Sequence, residues 1–195
     1  MIEDKIWLNN PQQFIIGADE VGRGCFAGPI SGAAVRINYS HLPLLEQVKD
    51  SKKLSPKKRD QIYNIVTENN IQYSYQSYSN IYIDSFGIKT ANERVLLDSI
   101  QNIYQIGDLV YVDHFKIKEF NAVSVIKGED HCRAIALASI VAKVLRDKFM
   151  VELARDYQHY KFDRNKGYGT QEHRDAIKLY GLSDLHRKTF NLMPK

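Results

Sequence analysis

Asp19 and Glu20 stand at the end of an apolar run in "IIGADEVGRGCFAGP", and a glycine-rich turn with a single arginine follows at once. Asp113 ends a second apolar run, "DLVYVD", and Glu129 and Asp130 close a third segment, "AVSVIKGED". Neighbouring side chains of a strand point to opposite faces. Asp19 and Glu20 therefore reach one site only where the strand ends or twists, which the glycines permit. Three strand tips carrying carboxylates can then converge. Such a cluster is costly unless cations neutralise it or some of the acids protonate. Hard divalent cations such as Mg²⁺ prefer carboxylate oxygens and retain waters, and there is no histidine-cysteine constellation of the kind zinc selects. Two such ions about 4 Å apart would clamp the attacking water and the leaving oxygen of a phosphodiester. The other reading is that each acid separately caps a helix or pairs with a lysine. Both fit the residue types.

The elements that must position these acids follow from periodicity. "FIIGADE" and "ISGAAVRI" read as strands on either side of the turn, and "NIQYSYQSYSN" alternates as a half-solvated antiparallel strand does. The three could form a meander. "SPKKRDQIYNIVTENN" reads as a helix with Ser55 as N-cap and Pro56 at the first helical position. At least one further helix is expected within 83–105, and "DLVYVDHF" and "AVSVIKGED" read as strands that both end in acids. "HCRAIALASIVAKVLRDKFMVELARDY" is the clearest helix, its alanines suited to close packing on a sheet. A loop, "KFDRNKGYGT", leads to a last helix from about Gln171 to Tyr180. The order predicts one mixed central sheet flanked by helices in a single α/β domain over 1–195, with a small helical part from about 160.

Composition narrows the class. The chain has 195 residues, 44% hydrophobic and 26% charged, as in an ordinary globular protein. No apolar run approaches the ~20 residues of a membrane span. The polar, acidic start is no secretory signal, so a cytoplasmic location is expected, with Cys25 and Cys132 as free thiols. The net charge is +4, and "KDSKKLSPKKR" sets six basic residues against one acid. That cluster is either a solvated face or a surface for a polyanion. Lys143 and Arg146, a turn apart on the long helix, carry the same two readings.

Together the motifs resemble ribonuclease HII, the type 2 ribonuclease H family. "GADEVGRGCFAGP", "DSKKLSPKKR", "YVDHF", "KGEDHCRAIALASIVAKVLRDKFM" and "NKGYGTQEHRDAIKLYGLSDLHRKTF" follow one another in the family's order from about Ile15 to Phe190. The resemblance implies an RNase H-like fold and cleavage of RNA in RNA/DNA hybrids with Mg²⁺ or Mn²⁺. It also implies incision 5′ of a single ribonucleotide in duplex DNA, leaving 3′-hydroxyl and 5′-phosphate ends. Carried over by position, Asp19, Glu20, Asp113 and Glu129 are the catalytic acids and the ligands of two ions, with Asp130 as the alternative to Glu129. Glutamate at that place looks more like ribonuclease HIII, a hybrid-preferring relative. That family normally carries an extra N-terminal domain, whereas only 18 residues precede Asp19 here, and it lacks the Gly-Arg-Gly turn.

In the family that turn, here Gly22, Arg23 and Gly24, reads the 2′-hydroxyl, which alone marks RNA within DNA. Tyr168 resembles the tyrosine that stacks on the sugar 3′ of the ribonucleotide. Ser51, Lys52, Lys53, Lys166, His186 and Arg187 are expected to hold backbone phosphates. The expected partners are RNA/DNA hybrid and ribonucleotide-containing duplex DNA. No sliding-clamp motif is evident, and a monomer is expected. A DNA junction resolvase and a catalytically silent nucleic-acid-binding protein are the rival readings.

Overall fold

The computed structural model describes residues 1–45 and 54–192. The chain runs α1 (Ile2–Trp7), β1 (Ile15–Val21), β2 (Ile30–Ile37), α2 (Pro56–Glu68), β3 (Gln72–Tyr78), α3 (Asn80–Phe86), α4 (Ile88–Gln101), β4 (Leu109–Asp113), β5 (Val123–Val125), α5 (Gly128–His131), α6 (Arg133–Leu153), α7 (Phe162–Asn165) and α8 (Gln171–Tyr180). The five strands form one mixed sheet in the order β3-β2-β1-β4-β5. Here β1, β2 and β3 are the expected antiparallel meander, and β1–β4 and β4–β5 are parallel pairs.

Alternation sends the strand side chains into two cores. Ile15, Ala33, Val35 and Ile37 face α6, whose Ala134, Leu137, Ala138 and Val141 join the same cluster. Ile16, Ala18, Ile30, Ala34, Val110 and Val112 face α4, with Val95, Leu96 and Ile100. A third cluster, with Met150, Tyr160, Phe162 and Ile177, ties the C-terminal helices to the far half of α6. The cap at Ser55 is present, its Oγ accepting from the Lys58 amide at 3.3 Å. Thr170 caps α8 in the same way, from the His173 amide.

The 83–105 segment, expected to give at least one helix, contributes to two, α3 and α4, divided at Gly87. Two features depart from the sequence reading. The strand expected to carry Glu129 and Asp130 stops at Val125, and both acids sit on the one-turn α5. Lys127, with a left-handed φ of 54°, turns the chain out of the strand before them. The polar N-terminus forms α1, with Trp7 in the core. Among the described residues no helix is long and apolar enough to cross a membrane.

Candidate active site

β1 and β4 lie side by side at the centre of the sheet, and their parallel ladder ends at Ala18 opposite Val112. Asp19 and Asp113 are the next residues on each strand, so they stand together where the two central strands part. Both face α6, since Gly17 and Tyr111, two residues earlier, do so. Asp19 is buried at 8% exposure, and its Oδ1 accepts from the Glu20 amide at 2.8 Å. Burial first, then the charges of Glu20 and Asp113, push its carboxyl up to about 7, against a hydrogen bond from Ser139 on α6. Glu20 is also raised, by burial and by Asp113, while Arg23 works the other way with its guanidinium 4.0 Å from the carboxylate.

Asp113 Oδ1 accepts from the Gly128 amide at 2.6 Å. That bond brings the start of α5 against the end of β4, with Glu129 buried at 5%. Asp130 is exposed and lines a different hollow, with Ile2, Lys5 and Tyr111. Glu129 is thus the acid turned into the protein. Among the described residues, no group of three or more His, Cys, Asp or Glu side chains is drawn together tightly enough to hold a metal ion. Asp19, Glu20 and Asp113 are electrostatic neighbours rather than a closed ligand shell.

The turn after Glu20 is built against two buried arginines. Gly22 has φ of 85°, and a Cβ there would lie 2.3 Å from Arg146 Nε, so both its backbone and its packing demand glycine. Gly24 has open space where a Cβ would go, so packing within the protein does not require glycine there. The segment beyond the turn is stitched on both sides. Phe26 N–H donates to the Gly167 carbonyl at 2.7 Å, Gly28 N–H to Leu185 at 2.9 Å, and Arg187 N–H to Phe26 at 2.8 Å. Gly167 tolerates no side chain, since a Cβ would meet the Ala27 oxygen at 2.3 Å.

These bonds place Tyr168 beside the turn, 37% exposed, with Lys143 Nζ 5.4 Å and the Arg146 guanidinium 5.9 Å from its ring centre. Burial and the neighbouring Cys25 push its hydroxyl up to about 12, so it stays protonated. Tyr168 also lines a groove between α2, α6 and α7, with Arg59, Lys148, Arg155 and Lys166. The Lys166 ammonium bonds the Asp163 carbonyl at the protein edge.

Two expected phosphate contacts are corrected. His186 and Arg187 are both 0% exposed and have no surface to offer a phosphate. His186 Nδ1 accepts from the Ser183 amide at 2.9 Å, so its proton is on Nε2, which lies 3.1 Å from His173 Nε2. His173 then carries its own proton on Nδ1 and donates to the Tyr168 carbonyl at 2.9 Å. Arg187 commits its guanidinium to the turn itself: Nη2 donates to the Gly22 carbonyl at 2.7 Å, Nη1 to Arg23 at 2.8 Å and Nε to Gly28 at 3.1 Å. Ser51, Lys52 and Lys53 lie outside the described residues.

Sequence reasoning missed Ser139 and His173 as parts of the site's frame, and its two readings of Arg146, a solvated face or a surface for a polyanion, are corrected, since the residue is fully buried. For Arg146 a signal existed. It falls four residues from Ala142 and four from Met150, on the stripe that α6 buries, where a solvated arginine does not belong. Its Nε donates to the Pro29 carbonyl at 3.0 Å and Nη1 to Lys166 at 2.9 Å.

The family model described as Ribonuclease HII matches residues 16–193. A Ribonuclease HII from Caldicellulosiruptor bescii is 41% identical over 191 residues, which is 97% of this chain and 91% of that protein. The crystal structure of ribonuclease H2 from Pyrococcus horikoshii OT3 has the same fold, with a TM-score of 0.76 at 21% identity over 92% of this chain and 95% of that one. That of Bst-RNase HIII in complex with Mn²⁺ is alike in fold, with a TM-score of 0.71 at 18% identity, covering 98% of this chain and 71% of that one. The matched span takes in both acid-bearing central strands, the glycine-arginine turn and the Tyr168 loop, and the identity extends along nearly the whole chain: it belongs to the ribonuclease HII family and is a hydrolase of the ribonuclease H type.

Proposed function

We propose that this ribonuclease cuts the RNA strand of RNA/DNA hybrids and incises on the 5′ side of a single ribonucleotide embedded in duplex DNA, leaving 3′-hydroxyl and 5′-phosphate ends. The observation that carries the proposal is the juxtaposition of Asp19 and Asp113, one residue past the last rung between the central strands, with the Gly22–Gly24 turn directly beside them. Asp19, Glu20, Asp113 and Glu129 would hold two divalent cations, Mg²⁺ or Mn²⁺. The donors fit in kind, though binding would have to draw them closer together: they are oxygen throughout, as hard cations require, and burial with mutual repulsion raises Asp19 and Glu20 in a way that nearby positive charge relieves. When bound, the ions supply charge neutralisation and a nucleophilic water at neutral pH.

The remaining work falls to the chain. The turn reads the ribose, Arg23 pairs with a phosphate oxygen, and Tyr168 tests the next sugar for a deoxyribose. Ser51, Lys52, Lys53 and Lys166 hold backbone phosphates and position the duplex without reading its sequence. The test is cleavage of a labelled DNA duplex carrying one ribonucleotide beside a uniform RNA/DNA hybrid, in Mg²⁺ and separately in Mn²⁺. A single cut 5′ of the lone ribonucleotide is the expected result. Cutting of the uniform hybrid alone would overturn it in favour of the hybrid-preferring reading that Glu129 suggests.

A further inference from the structure

We propose that Arg187, 163 residues beyond Gly24, is a positioning residue that aims the backbone amides of Arg23 and Gly24 at the substrate, an inference that rests on the ribose-reading role proposed for the turn. Arg187 is fully buried, and every hydrogen bond its guanidinium makes goes to a main-chain carbonyl, two of them those of Gly22 and Arg23. In a planar trans peptide the carbonyl of one residue and the N–H of the next point in opposite directions. Holding the Gly22 carbonyl inward therefore turns the Arg23 N–H outward, and holding the Arg23 carbonyl inward does the same to the Gly24 N–H.

The surroundings agree. Arg23 and Gly24 are exposed, and among the described residues neither amide donates to a protein acceptor, whereas the next one, Cys25 N–H, turns back to the Gly22 carbonyl at 3.2 Å. Two adjacent outward N–H groups beside the acids form a donor pair for an oxygen of the ribonucleotide. Their direction is fixed by a guanidinium fork, which a lysine, with one compact ammonium, cannot reproduce at three carbonyls. Arg187 touches no substrate itself. Its own place is fixed by its N–H bond to the Phe26 carbonyl and by the ring of Phe190, 5.1 Å from its guanidinium carbon.

The experiment compares wild type with Arg187→Lys on two single-ribonucleotide duplexes, one with the natural 2′-hydroxyl and one with 2′-fluorine, a poor acceptor. Wild type is expected to prefer the hydroxyl, and Arg187→Lys to narrow that preference at least fivefold. A merely structural defect lowers both rates by one factor and leaves the ratio alone, so a ratio kept within twofold overturns the proposal. Amide hydrogen exchange on the wild type serves where the variant does not fold. Arg23 and Gly24 should exchange freely and Cys25 slowly, and protection of the first two in the free protein would overturn the geometry. If wild type makes no single-ribonucleotide cut at all, the functional reading fails, while the exchange pattern still decides how the turn is held.

Discussion

At Asp19, burial and the charges of Glu20 and Asp113 all favour the protonated carboxyl, and the group is pushed up from 3.8 to about 7. A proton held more tightly by the native than by the unfolded chain fixes the sign of the pH dependence. Without metal, stability falls as pH rises from about 4 to about 7, at up to ~1.4 kcal/mol per pH unit, and then levels off. Asp19→Asn removes that charge. In a chelating buffer the variant should be more stable than wild type at pH 8, by an amount that shrinks towards nothing near pH 4. Denaturant unfolding across that range measures the difference. In Mg²⁺ the same variant should lose at least about 100-fold in cleavage, the scale of a single preorganised electrostatic contact. A folded Asp19→Asn protein with near-normal turnover would remove Asp19 from the chemistry. A stability difference that does not change with pH would show that its charge is not strained. The residue types were enough to pick out Asp19, Glu20 and Asp113 in the sequence, because a charge pair at the end of an apolar run is costly and conspicuous. The burial that strains Asp19 was not legible there, since it comes from the packing of α6 over β1, and neither was Ser139, 120 residues away, whose hydrogen bond works against that strain.

Among the elements, α6 and β1 set the depth of the site. A Cβ on Gly17 would sit 2.1 Å from both Ala134 C and Ile135 N, so strand and helix touch backbone to backbone. Asp19 lies two residues further along the same face, and Ser139 lies about one helical turn beyond Ala134 and Ile135, which is how α6 supplies its hydrogen bond. Neither side of that contact is a flexible side chain that could swing away. Gly17→Ala should therefore cost more than the ~1–3 kcal/mol of ordinary overpacking and reduce cleavage by displacing Asp19. A variant whose unfolding free energy stays within about 1 kcal/mol of wild type, the order of a mild core change, would contradict so close an approach. At this scale the sequence was legible where periodicity or a cap speaks locally: the alternation of β1 to β3, Ser55-Pro56 at α2, the alanine stripe of α6. It was silent on α1, because six residues have little helical tendency alone. That helix is held by Trp7 in the core and by Glu3, whose carboxylate accepts from Cys132 Sγ at 3.1 Å and from the Ala134 amide at 3.0 Å. It misled at "AVSVIKGED", where the apolar alternation ends two residues before the left-handed Lys127. His186 and Arg187 read as surface residues because their partners, the carbonyls of Gly22, Arg23 and Gly28 and the ring of His173, belong to distant segments that no local pattern encodes.

Across the whole molecule, the C-terminal segment is coupled to the site through a chain of neutral histidines. Ser183 N–H, His186 and His173 form a directed series that ends on the Tyr168 carbonyl, each ring accepting at one nitrogen and donating at the other. An added proton on either ring replaces an acceptor with a donor and breaks the series. Burial and the adjacent His173 pull His186 down from 6.5 to about 4, and burial lowers His173 as well. For a base held neutral in the native state, the unfolded chain takes up the proton first. Stability is therefore intact above about pH 6.5 and is lost as pH falls towards 4, by up to ~1.4 kcal/mol per pH unit from His186, and His173 acts in the same direction. In metal-free protein Asp19 acts with the opposite sign over the same range, so the net curve of wild type alone hides both. The comparison that isolates the histidine is wild type against His186→Gln, whose side-chain amide can still donate towards His173 but does not titrate. That variant should be less stable than wild type at pH 7.5. The gap should close as pH falls from 6.5 to 4, because only wild type bears the cost of keeping His186 neutral. Ring-nitrogen NMR on wild type gives the same answer directly: His186 should carry its proton on Nε2 and remain neutral at pH 5. A His186 ring that titrates near 6.5, or a gap that stays constant on acidification, would mean that the C-terminal segment does not hold Tyr168 through this series.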